Sequence, residues 1–412
     1  MLTPQFGGIF PDREQPLPLF VIEPTGNYSQ TGLLHLAHPE GSVLEWEGDF
    51  PWPLDDEMED GWFDGLPYFL QDMWPEGFLG RAFARAYSRL LELPDDLMRW
   101  NEEHMLLAVS KFGSDPIGNL ILGNAALQRF LDEMQNPPAP LPEEDVEIGY
   151  ARLADTAMTN GNPGSSVAGE FPKFTAARQD RGEVVKVLVK FSGSDTSASS
   201  ERWADLLVCE HWASCILPQF MGIAAAESRI LQAAGRTFLE SVRFDRHGGH
   251  GRSPVCTWAA ISYAWFARAE SWVQGAARLR ERGLIEQPVA EDIARLWHFG
   301  RLIANTDMHD GNLSFRPTRI NGRAGFELAP AYDMLPMQYA PVRGVELPHV
   351  NFQPRLPVPA ERGVWVRAAN AAVQFWDAAA NDDRISQAFR QICRENCDLV
   401  HRAINLAVTR NP

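Results

Sequence analysis

One glutamate falls on the apolar face of a helix, and it limits what this chain can become. Between Ser200 and Leu217 the apolar stripe reads Trp203, Leu206 and Leu207, then Glu210, then Ala213 and Leu217. A carboxylate buried with that face is costly unless a cation meets it. The segment just before the helix offers one. VVKVLVKFS alternates, with Val185, Val187 and Val189 on one face and Val184, Lys186, Leu188 and Lys190 on the other. Lys190 closes that strand. The pattern predicts a strand-end lysine facing the glutamate of the following helix. The plain alternatives are a stripe one residue narrower and a solvated lysine.

The order of elements sets the architecture. Up to about residue 60 the chain reads as short strands, PLFVIEP, GLLHLAH and SVLEWEGDF. From Trp62 the pattern is helical, and LPDD (Leu93 to Asp96) offers a cap for the next helix. NPPAPLPEEDVE (Asn136 to Glu147) reads as a linker. A glycine- and serine-rich stretch follows, then the strands FPKFTAAR and EVVKVLVKF turning at DRGE, the glutamate helix, and strands near RILQAAG and TFLESVRFD. RHGGHGRSP (Arg246 to Pro254) reads as a mobile loop rather than a metal site. Beyond Trp258 most segments are helical, including a core helix near Trp365 to Ala380. The exception is one hairpin with Asn321-Gly322 near its tip. A β-rich part followed by a helical part predicts an α+β fold of two lobes with a cleft between them.

Composition narrows the function classes. With 412 residues, 45% hydrophobic and 22% charged, the chain can bury a large core and suits two or three packed units. A net charge of −17 argues against broad contact with nucleic acid or anionic lipid. A small anion could still bind at a local cationic or metal-bearing pocket. Five cysteines without framework spacing fit free thiols in a reducing cytosol. With no signal peptide and no apolar run of membrane-spanning length, the expectation is a soluble cytoplasmic protein without membrane contact.

Three further features carry chemistry. Gly161, Gly164 and Gly169 surround Ser165 and Ser166 ahead of a strand, so backbone N–H groups could approach phosphate oxygens, although the spacing is neither a Walker A nor a Rossmann fingerprint. In ANTDMHDGNLSF a helix with Ile293, Leu296, Trp297, Gly300 and Ile303 in register stops near Asn305. It leads into Asp307 and Asn312, related as D-x4-N. Asp333, in LAPAYDMLP, ends the second strand of the hairpin that begins at Asn312, so Asn312 and Asp333 can converge on one point. Taken singly, these read equally as a surface loop, a polar turn and a strand-end cap. In sequence, glycine loop, strand lysine, helix glutamate, D-x4-N and second aspartate is the order in which kinase-type folds supply phosphate, base and metal groups.

The chain resembles the HipA-like serine/threonine kinases, the toxin kinases of bacterial toxin–antitoxin systems, and within them the YjjJ (HipH) type. The resemblance rests on SSVAGEFPKF, VLVKFS, RWADLLVCEHWA, VRFDR, NTDMHDGNLSF and LAPAYDML, with PYFLQDMWPEGFLGR similar to the family's N-terminal subdomain motif. It implies a bilobal protein-kinase-like fold. Residues 1–135 would be an extra N-terminal subdomain, 136–250 a mixed β-rich N-lobe and 251–412 a helical C-lobe. It also implies ATP and Mg2+ as cofactors and transfer of the γ-phosphoryl group to a protein serine or threonine. Asp307 matches the catalytic base, His309 the nucleotide-contacting histidine, and Asn312 and Asp333 the magnesium ligands. Lys190 matches the phosphate-contacting lysine and Glu210 the acidic residue of the following helix. Val167, Ala168 and Gly169 fall in the nucleotide-covering loop, Val242 and Phe244 at the hinge that holds adenine, and Ser166 where the family autophosphorylates. Implied partners are a protein substrate, such as a translation factor or an aminoacyl-tRNA synthetase, and an antitoxin.

Two departures stand out. Phe171-Pro172 interrupts the glycine loop before Lys173, and MLTPQFGGIFPDREQPL does not read as the helix-turn-helix that YjjJ-type relatives carry, so direct DNA binding is not expected. Three rivals remain open. A small-molecule kinase of the aminoglycoside-phosphotransferase kind shares the same group order. A pseudokinase would hold a partner without chemistry. A metal hydrolase built on Asp307, His309 and Asp310 ranks last, because one histidine among carboxylates is a poor transition-metal set. Asp310 is expected to be a turn residue only.

Overall fold

Alternation along the strand Glu183–Phe191 decides how the middle of the molecule is layered. Its Val187, Val189 and Phe191 join Phe174 and Phe238 under the helix Val146–Asn160, which contributes Val146, Tyr150 and Ala154. Lys190 belongs to the opposite face, and its register partner Leu239 packs with the helix Ala198–Ile216. The computed structural model describes residues 16–37, 41–55, 58, 60–160, 171–266, 271–342 and 346–409. Within them the central sheet is antiparallel, in the order Lys173–Asp180, Glu183–Phe191, Arg236–Val242, Ser228–Ala233. Its first hairpin turns at Arg181 and Gly182, with φ of 50° and 88°, the positive pair that a two-residue hairpin loop requires.

The helix Val146–Asn160 was not legible. The expected linker runs to Glu147, yet the helix starts at Val146, and its buried Val146, Tyr150 and Ala154 are joined by partly buried Leu153, Ala157 and Met158. The linker itself docks. Leu141 donates its N–H to the Ala177 carbonyl at 2.8 Å and accepts from the Gln179 N–H at 2.8 Å, extending the sheet edge by one residue.

Ahead of this lies a five-stranded sheet, in the order Trp62–Phe63, Gly41–Trp46, Tyr28–Ala37, Leu17–Ile22, Leu120–Leu122. The helical run expected from Trp62 is split. It opens as a strand, then gives helices Tyr68–Gln71 and Gly77–Leu91 on either side of Pro75, whose ring cannot continue a helix. The next helix does not start at LPDD. Asp96 caps only the short turn Leu97–Arg99, and the helix Glu102–Phe112 is capped by Asn101, which accepts from the His104 N–H at 3.0 Å. The His104 Nδ1 accepts in return from the Asn101 N–H at 3.2 Å.

Helices Trp258–Phe266, Trp272–Glu281, Gln287–Leu302, Arg362–Asn381 and Gln387–Thr409 form the last part, around buried Trp258, Trp272, Phe299, Trp365 and Trp376. Their one hairpin, Ser314–Ile320 with Arg323–Leu328, turns at Asn321 and Gly322 with φ of 50° and 82°. The glutamate helix is bolted to these helices. The Asp205 carboxylate accepts from the Ser386 N–H at 2.6 Å and hydroxyl at 2.8 Å, and the Trp212 indole N–H donates to Asp382 at 2.8 Å. The stretch expected to be a mobile loop is a short hairpin instead, Arg246–His247 paired with Gly251–Arg252. No group of three or more His, Cys, Asp or Glu side chains placed to hold a metal ion occurs among the described residues, and no helix among them is long and apolar enough to cross a membrane.

Candidate active site

The strand and the helix meet as their residue patterns require. The Lys190 ammonium lies 2.7 and 2.8 Å from the two Glu210 oxygens and also bonds Asp333 Oδ1. Lys190 and Glu210 side chains are each 8% exposed, Asp333 28%, so only Asp333 keeps an oxygen toward solvent. Burial works against the ammonium, and the Asp333 and Glu210 charges more than restore it, holding the lysine protonated. Burial pushes the Glu210 carboxyl up against the pull of Lys190. Partial burial works to raise the Asp333 carboxyl, but Lys190 and Lys173 hold it below the usual carboxylate range. Phe171, one of the departures noted above, roofs this triad. Its ring meets Trp203 edge-on at 4.5 Å, and its centroid is 5.8 Å from the Lys190 Nζ.

The second half of the site hangs from the end of the helix Gln287–Leu302. Ala304 adopts φ +59°, a conformation costing about 1–2 kcal/mol in a residue with a Cβ. It is held there by bonds from the Asn305 N–H to the Gly300 carbonyl and from the Gln338 N–H to its own carbonyl. Asp307 follows, exposed, with a carboxylate that has no hydrogen-bond partner among the described residues. The Asn312 side-chain amide donates to the Asp307 carbonyl at 2.8 Å, leaving its Oδ1 as the free end. His309 accepts from the Gly311 N–H at 3.1 Å and caps the turn Asp310–Asn312. Asp310 opens that turn, half-buried, with its carboxyl raised by burial. The Tyr332 hydroxyl ties the same turn to the hairpin, bonding the Gly311 carbonyl at 2.7 Å and the Ser314 hydroxyl at 2.6 Å.

Lys190, Glu210 and Asp333 are thus in direct contact, and Asp307 and Asn312 are tied to each other. Asn305, buried and not singled out from sequence, links the two groups. Its side chain reaches the Asp307 N–H and the Asp333 carbonyl. Beside the triad opens a cleft lined by Ser214, Ser228, Leu239, Ser241, Ala331 and Met334. None of these drew attention in the sequence, because each contributes one small or apolar group from a different element. Val242 ends its strand with its side chain on the outer cluster, so only its backbone can serve the cleft. Phe244 lies beyond it, 6.0 Å from the Tyr332 ring, and its carbonyl accepts from Arg316 at 2.9 Å. Gly161, Gly164, Ser165, Ser166, Val167, Ala168 and Gly169 lie outside the described residues.

Residues 165–403 match the family described as HipA-like C-terminal domain, and residues 13–131 match the YjjJ-like toxin, middle domain. Toxin YjjJ of Escherichia coli (strain K12) is 38% identical over 380 residues, covering 92% of this chain and 82% of that protein. The chain belongs to the HipA-like toxin family. Among solved structures it is similar to HipA of Shewanella oneidensis MR-1, determined in complex with HipB and its operator DNA. The TM-score is 0.58 and the identity 15%, over 95% of this chain and 97% of that one. The Helicobacter pylori proinflammatory kinase CtkA aligns with 57% of this chain and 93% of its own, at TM-score 0.40 and 14% identity. The fold is the two-lobed, kinase-like one expected from the order of strands and helices. The oxygens offered by this HipA-like chain at Asn312 and Asp333, with no cluster of three or more His, Cys, Asp or Glu among the described residues, suit a hard cation such as magnesium, which takes one or two protein oxygens and completes its shell with phosphate and water.

Proposed function

We propose that this toxin-family chain is a cytoplasmic, ATP- and magnesium-dependent serine/threonine protein kinase that also autophosphorylates Ser166. The observation that carries the reading is the Lys190 ammonium seated between Glu210 and Asp333, linked through Asn305 to the Asp307–Asn312 pair. Glu210 fixes the lysine, which then orients ATP phosphates arriving in the cleft. Asn312 and Asp333 would hold magnesium, which supplies charge neutralisation between the β- and γ-phosphates. Asp307 accepts or orients the proton of the attacking hydroxyl. Its exposed carboxylate can meet a protein side chain from solvent. His309 contacts the nucleotide, while Val242 and Phe244 border adenine and Val167, Ala168 and Gly169 cover the phosphates. Catalysis is then mostly positioning and electrostatics. Residues 1–135, 136–250 and 251–412 act as N-terminal subdomain, N-lobe and C-lobe. The complex of Shewanella HipA with HipB supports an antitoxin partner here as well.

Calorimetry with magnesium and a non-hydrolysable ATP analogue separates a kinase from a binding module. The kinase reading expects saturable, magnesium-dependent binding that Lys190→Ala abolishes. Phosphoproteomics after induced expression, compared with an Asp307→Ala strain, then separates protein from small-molecule substrates. New phosphoserine or phosphothreonine sites that depend on Asp307 are the expected result. Labelled metabolites without labelled protein would point to the small-molecule kinase.

A further inference from the structure

Two loops must be held in register for any phosphoryl transfer at this site, and one side chain touches both. Asn305 is 6% exposed and sits between two residues with φ of +59°, Ala304 in the chain before it and Asp333 across the site. Its Oδ1 accepts from the Asp307 N–H at 3.0 Å, an Asx turn that sets the direction in which the chain leaves the helix. Its Nδ2 donates to the Asp333 carbonyl at 3.4 Å and approaches the Met334 sulfur at 3.9 Å. The backbone of Asp307 is fixed a second time by the Asn312 amide on its carbonyl at 2.8 Å. Asp307 therefore has both backbone polar groups claimed by asparagine side chains, while its carboxylate has no bond among the described residues. The peptide at Asp333 is fixed from the same Asn305 amide. Two short segments, 28 residues apart in the chain, are set against each other by one buried amide group.

We infer that Asn305 is a positioning residue for this reaction, the gauge that holds the Asp307 carboxylate at a set distance from Asp333. This rests on the kinase reading given above. Only an amide serves. The position needs an acceptor toward the Asp307 N–H and a donor toward the Asp333 carbonyl. Asn305→Asp keeps the acceptor and puts a second oxygen against that carbonyl, so it preserves the turn and breaks the link. Asn305→Ala removes both. Neither change removes a contact of the Lys190–Glu210 pair.

The test is the rate of autophosphorylation under single-turnover conditions, with ATP and magnesium varied separately, in the parent, Asn305→Asp and Asn305→Ala. Misplacing a reacting group by about 1 Å costs on the order of 100-fold in rate. The maximal rate should fall by about 10- to 100-fold in both variants. The ATP concentration for half-maximal rate should stay near the parent value, and the magnesium requirement should rise. Thermal melting checks that both variants fold. Hydrogen exchange on the parent needs no variant and expects the Asp307 amide, in an otherwise exposed residue, to exchange slowly. An active parent whose folded variants keep its rate and magnesium requirement overturns the inference, as does a fast-exchanging Asp307 amide. A parent that does not label itself at all overturns the kinase reading, and this inference with it.

Discussion

At the scale of single residues, the molecule places unlike-charged groups where neither could stand alone. Glu210 is buried on a helix face, and the Lys190 ammonium that meets it also reaches Asp333. Removing the cation leaves two carboxylates facing each other with little water. Breaking a buried ion pair from one side costs about 3–5 kcal/mol, more than making it gains. Lys190→Met should therefore lower the unfolding free energy by about 3 kcal/mol or more in denaturant melts at pH 7. Adding Glu210→Gln should restore part of the loss, because the remaining partner is then neutral. A Lys190→Met melt that matches the parent would mean that the triad is not held as described. This pair was legible because its logic is local. A strand alternates, a helix has a stripe, and both residues lie within one strand–helix unit. Asn305 was not legible, because an asparagine after a helix is ordinary turn chemistry until its second partner, Asp333, is seen to face it.

At the scale of elements, the glutamate helix is anchored rather than free to swing. Asp205, 2% exposed, takes two hydrogen bonds from Ser386, and Arg202 stacks on Phe389 at 4.4 Å. Burial raises the Asp205 carboxyl to about 6 from 3.8, with the Ser386 bonds and Arg202 pulling the other way. Between those values the folded chain holds a proton that the unfolded chain has released. Stability contributed by Asp205 is therefore full below about pH 3.8, falls as pH rises to about 6, and is absent above, a change on the order of 3 kcal/mol. Parent minus Asp205→Asn unfolding free energies, measured from pH 4 to 7, should fall across that window. A flat difference would contradict the anchoring as drawn. Elements resolved unevenly from sequence for a physical reason. Hairpins with Arg181-Gly182 and Asn321-Gly322 announced themselves, since few residue pairs accept two positive φ values. The helix Val146–Asn160 did not, since its apolar stripe, Val146, Tyr150, Leu153, Ala154, Ala157 and Met158, starts inside the acidic, proline-rich run that reads as a linker.

At the scale of the whole molecule, the N-terminal sheet unit grips the segment by which the chain leaves the central sheet. Asp115, in the loop before Leu120–Leu122, bonds Arg243 at 2.8 Å and Arg246 at 2.6 Å. The Gly118 N–H donates to Asp245 at 3.0 Å, and Arg246 donates to the Gly118 carbonyl at 2.9 Å. These contacts span more than 120 residues of chain, which is why no local pattern announced them. Asp115→Ala leaves Arg246 and Arg252 buried with one carboxylate fewer. It should cost about 2–3 kcal/mol and speed amide exchange through Asp245 to Arg252. Unchanged exchange there would show that the two units are not coupled through this loop. The central claim, that the Lys190, Asp307, Asn312 and Asp333 constellation transfers a phosphoryl group, has a more direct test. Purified parent, Asp307→Ala and Asp333→Ala proteins are incubated with magnesium and γ-labelled ATP, and the labelled residue is mapped. Label on Ser166 of the parent and none on either variant is the predicted result. Equal labelling of all three would contradict the assignment.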